Sequence, residues 1–271
     1  MSLENELLGL MDEYRFTPKK SLSQNFLVDE AVIGLLVSEA KLKRGDIALE
    51  VGAGTGFITR ELQKKCKVIA YECDSALCEV LSARLSEKNL ELHCSDFFSS
   101  ALPEFTKIVS VPPYSHSSDL LFRLFGQKFV SGTLLLQREF LQRMLAEPGF
   151  AEYNALSCLA TYFFEPKVVC DVKPQSFYPS PNSPSAMVSF KCRKRFGSAN
   201  NDGKFIAFAS EIFRFKHKNS KNALSLAAPF LKSCGLEKEK MVSAAQELGI
   251  AEEKLSLVEV EELVELFNSL C

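Results

Sequence analysis

The chain has 271 residues, 46% of them apolar and 24% charged, with a net charge of −2; it can bury a sizeable core and reads as an ordinary globular protein of one large domain, or a large one and a small one. Its longest apolar stretches, such as Ala31 to Val37, fall far short of a membrane span, and its acidic, mixed N-terminus lacks a basic-then-apolar targeting signal. Nine cysteines without a C-x-x-C pair, and only three histidines, point to reduced thiols in a cytoplasmic protein and away from a metal site.

Residues 1 to 16 offer a short amphipathic stretch, followed by a polar basic loop from Lys19 to Leu27. Asp29 is placed to cap a helix whose buried face is Val32, Ile33, Leu35, Leu36 and Val37. The apolar run Ile47 to Val51 predicts a first strand, which stops at Gly52, Gly54 and Gly56 in alternate positions. Glycines there allow positive φ and let the backbone approach a ligand with no Cβ in the way, and the amides of the helix that follows, Ile58 to Lys65, can receive a polar or negative group. G-x-G-x-G alone also describes a glycine-rich turn in any α/β domain. Glu72 adds information: it ends a second strand, Lys67 to Tyr71, twenty residues past Gly52, where an acid can hold the two ribose hydroxyls of a nucleoside.

Cys73 to Leu85 predicts the second crossover helix, Leu90 to Cys94 a third strand ending at Asp96-Phe97, and Ile108 to Val111 a fourth ending at Pro112-Pro113-Tyr114. Strands alternating with helices imply a mostly parallel sheet with right-handed crossovers, whose ligands sit beyond the carboxyl ends of the strands. Gly52, Glu72, Asp96 and Pro113 all fall there, one per strand. Asp96 can accept from the exocyclic amine of an adenine and Phe97 can stack on its ring. The Pro112-Pro113-Tyr114 turn offers free carbonyls and an aromatic face for a flat base, with Ser110 one residue away from Val111.

Thr133 to Leu136 predicts a fifth strand and Arg138 to Ala146 a helix stopped by Pro148-Gly149; Tyr162 to Phe164 and Val168 to Val172 suggest further strands, and Ala186 to Lys191 the last. Between them, Lys173 to Pro184 carries four prolines around Phe177-Tyr178 and reads as an extended loop. A basic, then Gly- and Asn-rich stretch up to Gly203 marks a domain boundary, beyond which Phe205, Phe208, Ile212 and Phe215 fall on one helical face of a small helical domain. Net charge conceals a polarity here. Met187 to Lys221 holds nine Lys/Arg against Asp202 and Glu211, about +7, and Leu236 to Leu266 holds nine Glu against three Lys, about −6. Lys191, Arg193, Lys194, Arg195, Arg214, Lys216, Lys218 and Lys221 thus make a candidate phosphate-binding face, or else a solvated charge run.

The glycine pattern lacks the G-x-G-x-x-G spacing of nicotinamide enzymes and is similar to the S-adenosylmethionine site of the methyltransferase fold. Nearly the whole chain resembles the KsgA-type ribosomal RNA adenine dimethyltransferases. The matching stretches are Lys20-Ser21-Leu22-Ser23-Gln24-Asn25-Phe26-Leu27, Leu49 to Gly56, Tyr71-Glu72-Cys73-Asp74, Asp96-Phe97, Pro113-Tyr114, Leu136-Gln137-Arg138-Glu139, Pro148-Gly149 and Phe177-Tyr178-Pro179-Ser180-Pro181. The resemblance implies a Rossmann-like class I methyltransferase domain over 1–195 and an all-helical C-terminal domain over 204–271 that contributes to rRNA binding. It implies S-adenosyl-L-methionine as cofactor, held by Asn25, Leu27, Gly52, Glu72 and Asp96; Gln24, Gly54, Gly56 and Phe97 are assigned to the same cofactor site. The implied catalytic group is the turn Val111, Pro112, Pro113 and Tyr114 together with Phe177, Tyr114 and Phe177 stacking on the target adenine. The implied substrate is a pair of adjacent adenosines near the 3′ end of small-subunit rRNA in the pre-small ribosomal subunit, with no metal, no membrane and a monomeric enzyme.

Two departures stand out. The family's first loop usually has Gly where Ser23 stands. Its catalytic turn normally reads Asn-x-Pro-Tyr, and here Val111 takes the place of an Asn whose side-chain carbonyl accepts from the adenine amine. Valine accepts nothing, and loss of one such preorganised group costs on the order of a hundred- to a thousandfold in rate. An rRNA adenine N6-dimethyltransferase with impaired chemistry is therefore one reading. A small-subunit assembly factor that binds pre-ribosomal RNA and S-adenosylmethionine without efficient methylation is the other.

Overall fold

The structure, a computed structural model, describes residues 2–192 and 199–270. Two compact units emerge: Met1–Leu121, Lys128–Leu141 and Lys167–Cys192 form the first, and Phe122–Gln127, Gln142–Pro166 and Arg193–Cys271 the second.

The first unit is built on a seven-stranded sheet. In chain order the strands of the molecule are β1 (Phe26–Leu27), β2 (Ile47–Val51), β3 (Lys67–Glu72), β4 (Leu90–Cys94), β5 (Lys107–Ser110), β6 (Ser131–Gln137), β7 (Phe164–Val172), β8 (Phe177–Tyr178) and β9 (Ser185–Cys192). The sheet order is β4-β3-β2-β5-β6-β9-β7, while β1 and β8 pair separately as a short antiparallel ribbon. From β4 through β6 every pairing is parallel, and β9 returns antiparallel to β6. The predicted strands at 47–51, 67–71, 90–94, 108–111, 133–136 and 186–191 are all present, within a residue or two. β2 is central because Ala48, Leu49, Glu50 and Val51 are all buried, the run expected of a parallel strand covered on both faces. At β2 the strand order reverses, its neighbours being β3 on one side and β5 on the other. A crevice opens at that point in such sheets.

Helices α1 (Leu3–Glu13), α2 (Glu30–Glu39), α3 (Phe57–Gln63), α4 (Ser75–Arg84), α5 (Ser117–Leu124) and α6 (Arg138–Met144) join or flank these strands. Asp29 caps α2 as anticipated, its Oδ1 accepting from Ala31 N and Val32 N at 3.0 and 3.2 Å. The other end of α2 is closed by Lys107, whose buried ammonium donates to Ala40 O and Lys41 O at 3.0 and 2.7 Å and pairs with Asp46. Gly132 on β6 lies opposite Phe190 on β9, and a Cβ there would sit 2.2 Å from the Phe190 ring. Only glycine lets that ring cross the strand.

The second unit contains α7 (Ala155–Phe163), α8 (Asp202–Ile212), α9 (Ser220–Leu231), α10 (Lys238–Glu247) and α11 (Val260–Ser269). Its core is aromatic: Tyr162 lies 4.8 Å from Phe205, Phe205 5.4 Å from Phe267, and Phe125 5.5 Å from Phe163 between ring centroids. These rings tie 122–127 and 142–166 to the C-terminal helices, segments that the boundary drawn at 195 to 204 leaves with the sheet. Three local expectations are corrected. Tyr162 and Phe163 are helical rather than extended, because Asn154 and Ser157 form a reciprocal capping box that starts α7, and extended backbone begins only at Phe164. A helix covers Ser117–Leu124, where the sequence suggested no element; Leu120, Leu121 and Leu124 supply its buried face. Just past α8, Phe213 is buried in place of Phe215, since the backbone tightens into a 3-10 turn over Phe213–Phe215.

Candidate active site

The ends of β2, β3, β4 and β5, with the loop before β1, enclose a cavity of about 430 Å³, within the roughly 300–1,000 Å³ usual for small-molecule sites. β2 contributes Gly52 and Gly54, β3 Glu72 and Cys73, β4 Asp96, Phe97 and Phe98, β5 the turn Val111 to Tyr114 with His116, and the N-terminal loop Leu22 to Phe26. Sequence-distant residues singled out on four strands thus meet in one place.

The glycine turn is a close approach. Gly52 has φ +80°, and a Cβ on it would meet Pro113 Cδ at 3.2 Å; Gly54 has φ +58°, and a Cβ there would meet the Phe26 ring at 3.3 Å. Gly56, φ +83°, is outside the cavity. It begins α3, and a Cβ would press on Leu81 at 2.9 Å, so its task is helix packing rather than ligand contact. Leu27 lies in an adjoining small pocket beneath Gly52 and Gly54.

Glu72 is 6% exposed. One carboxylate oxygen accepts from Gly54 N at 2.8 Å, and the other from Cys73 N and Asp74 N, both at 2.9 Å. Burial raises its carboxyl above the ordinary value, and these amides partly oppose the rise. Asp96 is exposed and accepts from Phe98 N at 2.9 Å and Ser99 Oγ at 2.7 Å, so the turn aims both oxygens. Phe97 differs from expectation: its ring is 2% exposed, edge-on to Tyr71 at 5.2 Å, and forms a wall of the cavity rather than an open stacking face. Phe98 and His116, which the sequence did not single out, line the same end with ring centroids 4.9 Å apart.

At the turn that follows β5, Val111 borders the cavity and presents no acceptor. Ser110 cannot stand in. It is fully buried, its hydroxyl donates to Val51 O at 2.7 Å and accepts from Val51 N, and it does not reach the cavity. Pro112 is buried and Pro113 O accepts from His116 N at 2.9 Å. Tyr114 lines the cavity, with its hydroxyl bonded to Ser185 and its ionisation pushed up to about 12 by burial. Phe177, 3% exposed on β8, stands edge-on to Tyr114 at 6.4 Å and lies outside the cavity, so the two rings do not form an open parallel slot.

Gln24 and Asn25 line the cavity, but the Gln24 amide is committed to protein at both ends, accepting from Lys19 N at 2.7 Å and donating to Asp74 at 2.9 Å. Asn25 donates to Ser23 O at 3.2 Å. Ser23 sits at φ +51°, the left-handed region that favours glycine. Its hydroxyl donates to Ser115 Oγ, just past Tyr114, at 3.1 Å. Asp74, which the sequence did not single out as a site residue, caps α4 through Ala76 N at 3.2 Å.

Glu50, at the end of β2, is 1% exposed, and among the described residues neither oxygen has a hydrogen-bond partner. Burial pushes its carboxyl up to about 8; the Thr59 hydroxyl alongside opposes this without reaching bonding geometry, and the Glu72 charge adds to it. The folded protein therefore holds a proton that the unfolded chain gives up near 4.5. Stability from this group is complete below that value and is lost as pH rises to about 8. Glu50→Gln should abolish this contribution, gaining on the wild type toward pH 8 by up to about 1.4 kcal/mol per pH unit. Urea unfolding of both proteins from pH 5 to 8 checks it; parallel stability curves would show Glu50 already ionised in the native state.

The basic residues divide. Lys191 and Lys218 are exposed. Arg214 pairs with Glu211 at 2.9 Å and lies over the Phe230 ring, and Lys221 pairs with Glu252. Lys216 departs furthest from a phosphate-binding role, since its ammonium donates to Ala151 O and Tyr153 O at 2.7 and 2.9 Å and ties a loop in place. Arg193, Lys194 and Arg195 lie outside the described residues. Among the described residues no cluster of His, Cys, Asp and Glu is arranged to hold a metal, and no helix is long and apolar enough to cross a membrane.

The arrangement matches known proteins as a whole. The family model described as ribosomal RNA adenine dimethylase matches residues 15–263. This chain belongs to that family. A ribosomal RNA small subunit methyltransferase A of Thermotoga neapolitana is 34% identical over 95% of this chain and 94% of its own. A probable one of Pyrococcus furiosus is 36% identical over 69% of this chain and 68% of its own. Among solved structures, a dimethyladenosine transferase from Plasmodium falciparum superposes with a TM-score of 0.75 at 25% identity, covering 89% of this chain and 95% of that one. The 23S rRNA methyltransferase ErmE, at 23% identity and a TM-score of 0.63 over 91% of this chain and 99% of that one, shares the fold. The mostly parallel sheet expected from the alternating elements, and the Rossmann-like domain that the resemblance implied, are thus those of this rRNA adenine dimethylase family.

Proposed function

We propose that this protein transfers methyl groups from S-adenosyl-L-methionine to the N6 atoms of adjacent adenosines near the 3′ end of small-subunit rRNA, as a monomer acting on the pre-small ribosomal subunit in the cytoplasm. The observation that carries this reading is the single cavity in which the glycine turn, Glu72, Asp96 and the Pro113-Tyr114 turn converge. The residues fit the cofactor. Two side-chain-free positions open its cradle, Glu72 offers a carboxylate held by three amides for a ribose diol, and Asp96 offers one for an adenine amine. When bound, S-adenosylmethionine supplies an electrophilic methyl group on a sulfonium. The chain's own residues orient the acceptor. Tyr114 gives an aromatic face to the flipped base, and the carbonyls of Val111 and Pro112 are the acceptors that the turn offers the amine as its lone pair leaves the ring.

A second reading is favoured by one specific feature. With Val111 at the motif position and Ser110 bonded to Val51, the side-chain acceptor is missing, which suits an assembly factor that keeps the cofactor pocket and has lost efficient chemistry. Incubation of labelled cofactor with purified small subunits lacking the modification separates the two. Label at N6 of the paired adenosines supports the enzyme. Tight subunit binding without label supports the assembly factor.

The basic segment is tested separately. Reversing charge at Arg193, Lys194 and Arg195 should weaken subunit binding and flatten its salt dependence, by a slope of about 0.7 to 0.9 per lost phosphate contact, with cofactor affinity unchanged. Lys216→Met should instead lower the thermal midpoint, because its ammonium is tied to Ala151 and Tyr153. A salt slope that survives the triple reversal would make the segment a solvated surface.

A further inference from the structure

The loop from Lys19 to Leu27 supplies one wall of the cofactor cavity through Leu22, Ser23, Gln24, Asn25 and Phe26. Regular structure holds it only weakly, by a single 3-10 turn at Lys20–Leu22 and the two-residue β1. Besides the β1–β8 pairing and the bond from Ser23 to Ser115, one side chain ties it to the segment that follows β3. Asp74 Oδ1 accepts from Lys19 Nζ at 2.8 Å and Oδ2 from Gln24 Nε2 at 2.9 Å, while Gln24 Oε1 accepts from Lys19 N at 2.7 Å. The Asp74 side chain is 2% exposed and Lys19 is 48% exposed. Burial by itself would push the Asp74 carboxyl up, but the bonds from Lys19 and Gln24 outweigh it and hold the carboxyl below the usual range. Asp74 also caps α4 through Ala76 N at 3.2 Å, and its own N–H donates to Glu72 at 2.9 Å. The fastening is therefore joined directly to the acid at the cavity's centre.

We propose that Asp74 is a positioning residue for the cofactor. Through Lys19 and Gln24 it latches the Lys19–Leu27 loop as the wall that retains the cofactor beside Glu72, and this latch opens for cofactor entry and exit. Gln24 then acts by fixing the wall and not by touching the ligand. The inference rests on the proposed cofactor site but does not depend on methylation.

Asp74→Asn keeps an oxygen to cap Ala76 N, so α4 is preserved, but it removes the charge facing Lys19 and turns its NH2 toward the Gln24 Nε2 donor, weakening both bonds of the latch. Lys19→Met removes the other charge at a half-exposed position. Stopped-flow release of S-adenosylmethionine and S-adenosylhomocysteine from the full chain should speed up about tenfold in each variant, a modest factor because Lys19 is open to solvent. The double variant should be no faster than Asp74→Asn alone, since that substitution already removes the charge pair that Lys19→Met would break. Added salt should hasten release from the wild type and leave the variants unchanged, a readout that a general loss of stability would not produce. Wild-type release rates in both variants, or two effects that multiply, overturn the latch. If the wild type binds neither ligand, the proposed cofactor site falls together with it; if the wild type binds and only the latch result fails, the site stands and Asp74 is merely a helix cap.

Discussion

Val111→Asn should raise the rate of methyl transfer to small-subunit adenosines by on the order of a hundred- to a thousandfold, the range measured when a single preorganised polar group is removed from an active site elsewhere. Val111 borders the cavity directly after β5, next to the Pro112-Pro113-Tyr114 turn, so an amide there enters the space where the adenine amine must lie. The neighbouring Ser110 side chain does not already do this work, because its hydroxyl is spent on Val51. The gain belongs to the chemical step. The new hydrogen bond strengthens as the amine rehybridises, so RNA and cofactor affinities should hardly change. Single-turnover kinetics separate these quantities, and Val111→Ala, which changes volume without adding an acceptor, should bring no gain. An unchanged rate in Val111→Asn despite normal binding would mean that the turn is differently arranged during catalysis and that position 111 is not where the acceptor acts.

Replacement of Glu72 by Ala should weaken S-adenosylmethionine binding by about a hundredfold or more, since two ribose hydroxyls lose a charged acceptor at roughly 1.5–3 kcal/mol per hydrogen bond. Three backbone donors, at Gly54, Cys73 and Asp74, lose their partner at the same time. For that reason Glu72→Gln should be nearly as damaging as Ala. A carboxamide offers one oxygen, and its NH2 must face either the Gly54 N–H or the pair from Cys73 and Asp74. The pH dependence follows from the same geometry. Burial raises the Glu72 carboxyl, so acidification protonates it sooner than an ordinary glutamate, and cofactor affinity should decline with falling pH as acceptor capacity is lost. Calorimetry across a pH series checks both points. Full affinity in the Ala variant would remove the nucleoside from the end of β3.

Much of the first unit was legible from residue order alone. Runs such as Ile47 to Val51 and Lys67 to Tyr71 read as buried parallel strands because a strand covered on both faces must be continuously apolar. Their alternation with helical spacing predicted a parallel sheet, and a parallel sheet places its ligands at the carboxyl ends of the strands. Gly52, Glu72, Asp96 and Pro113 were therefore identifiable before any contact was known. The departure at Val111 was equally plain, since an acceptor is a property of residue type. The second unit was less legible. Tyr162 and Phe163 carry strand-like side chains, and only the Asn154–Ser157 capping box, four hydrogen-bonding groups satisfied together, commits them to α7.

Tertiary structure decided how the chosen residues are used. Composition marks Lys216 as basic, but the carbonyls of Ala151 and Tyr153, 65 and 63 residues earlier, turn it into a tie. Gly56 shares a motif with Gly52 and Gly54, yet its φ and the nearness of Leu81 assign it to packing against α4. Phe97 became a wall rather than a platform once Tyr71 took its edge. Gln24 belongs to a cofactor motif in sequence, while its amide is held by Lys19 and by Asp74 fifty residues away. Periodicity and residue type act within a few turns of chain and so can be read along it. The direction of a polar side chain depends on which long-range donor or acceptor the fold brings within reach, and that is known only when the strands stand side by side.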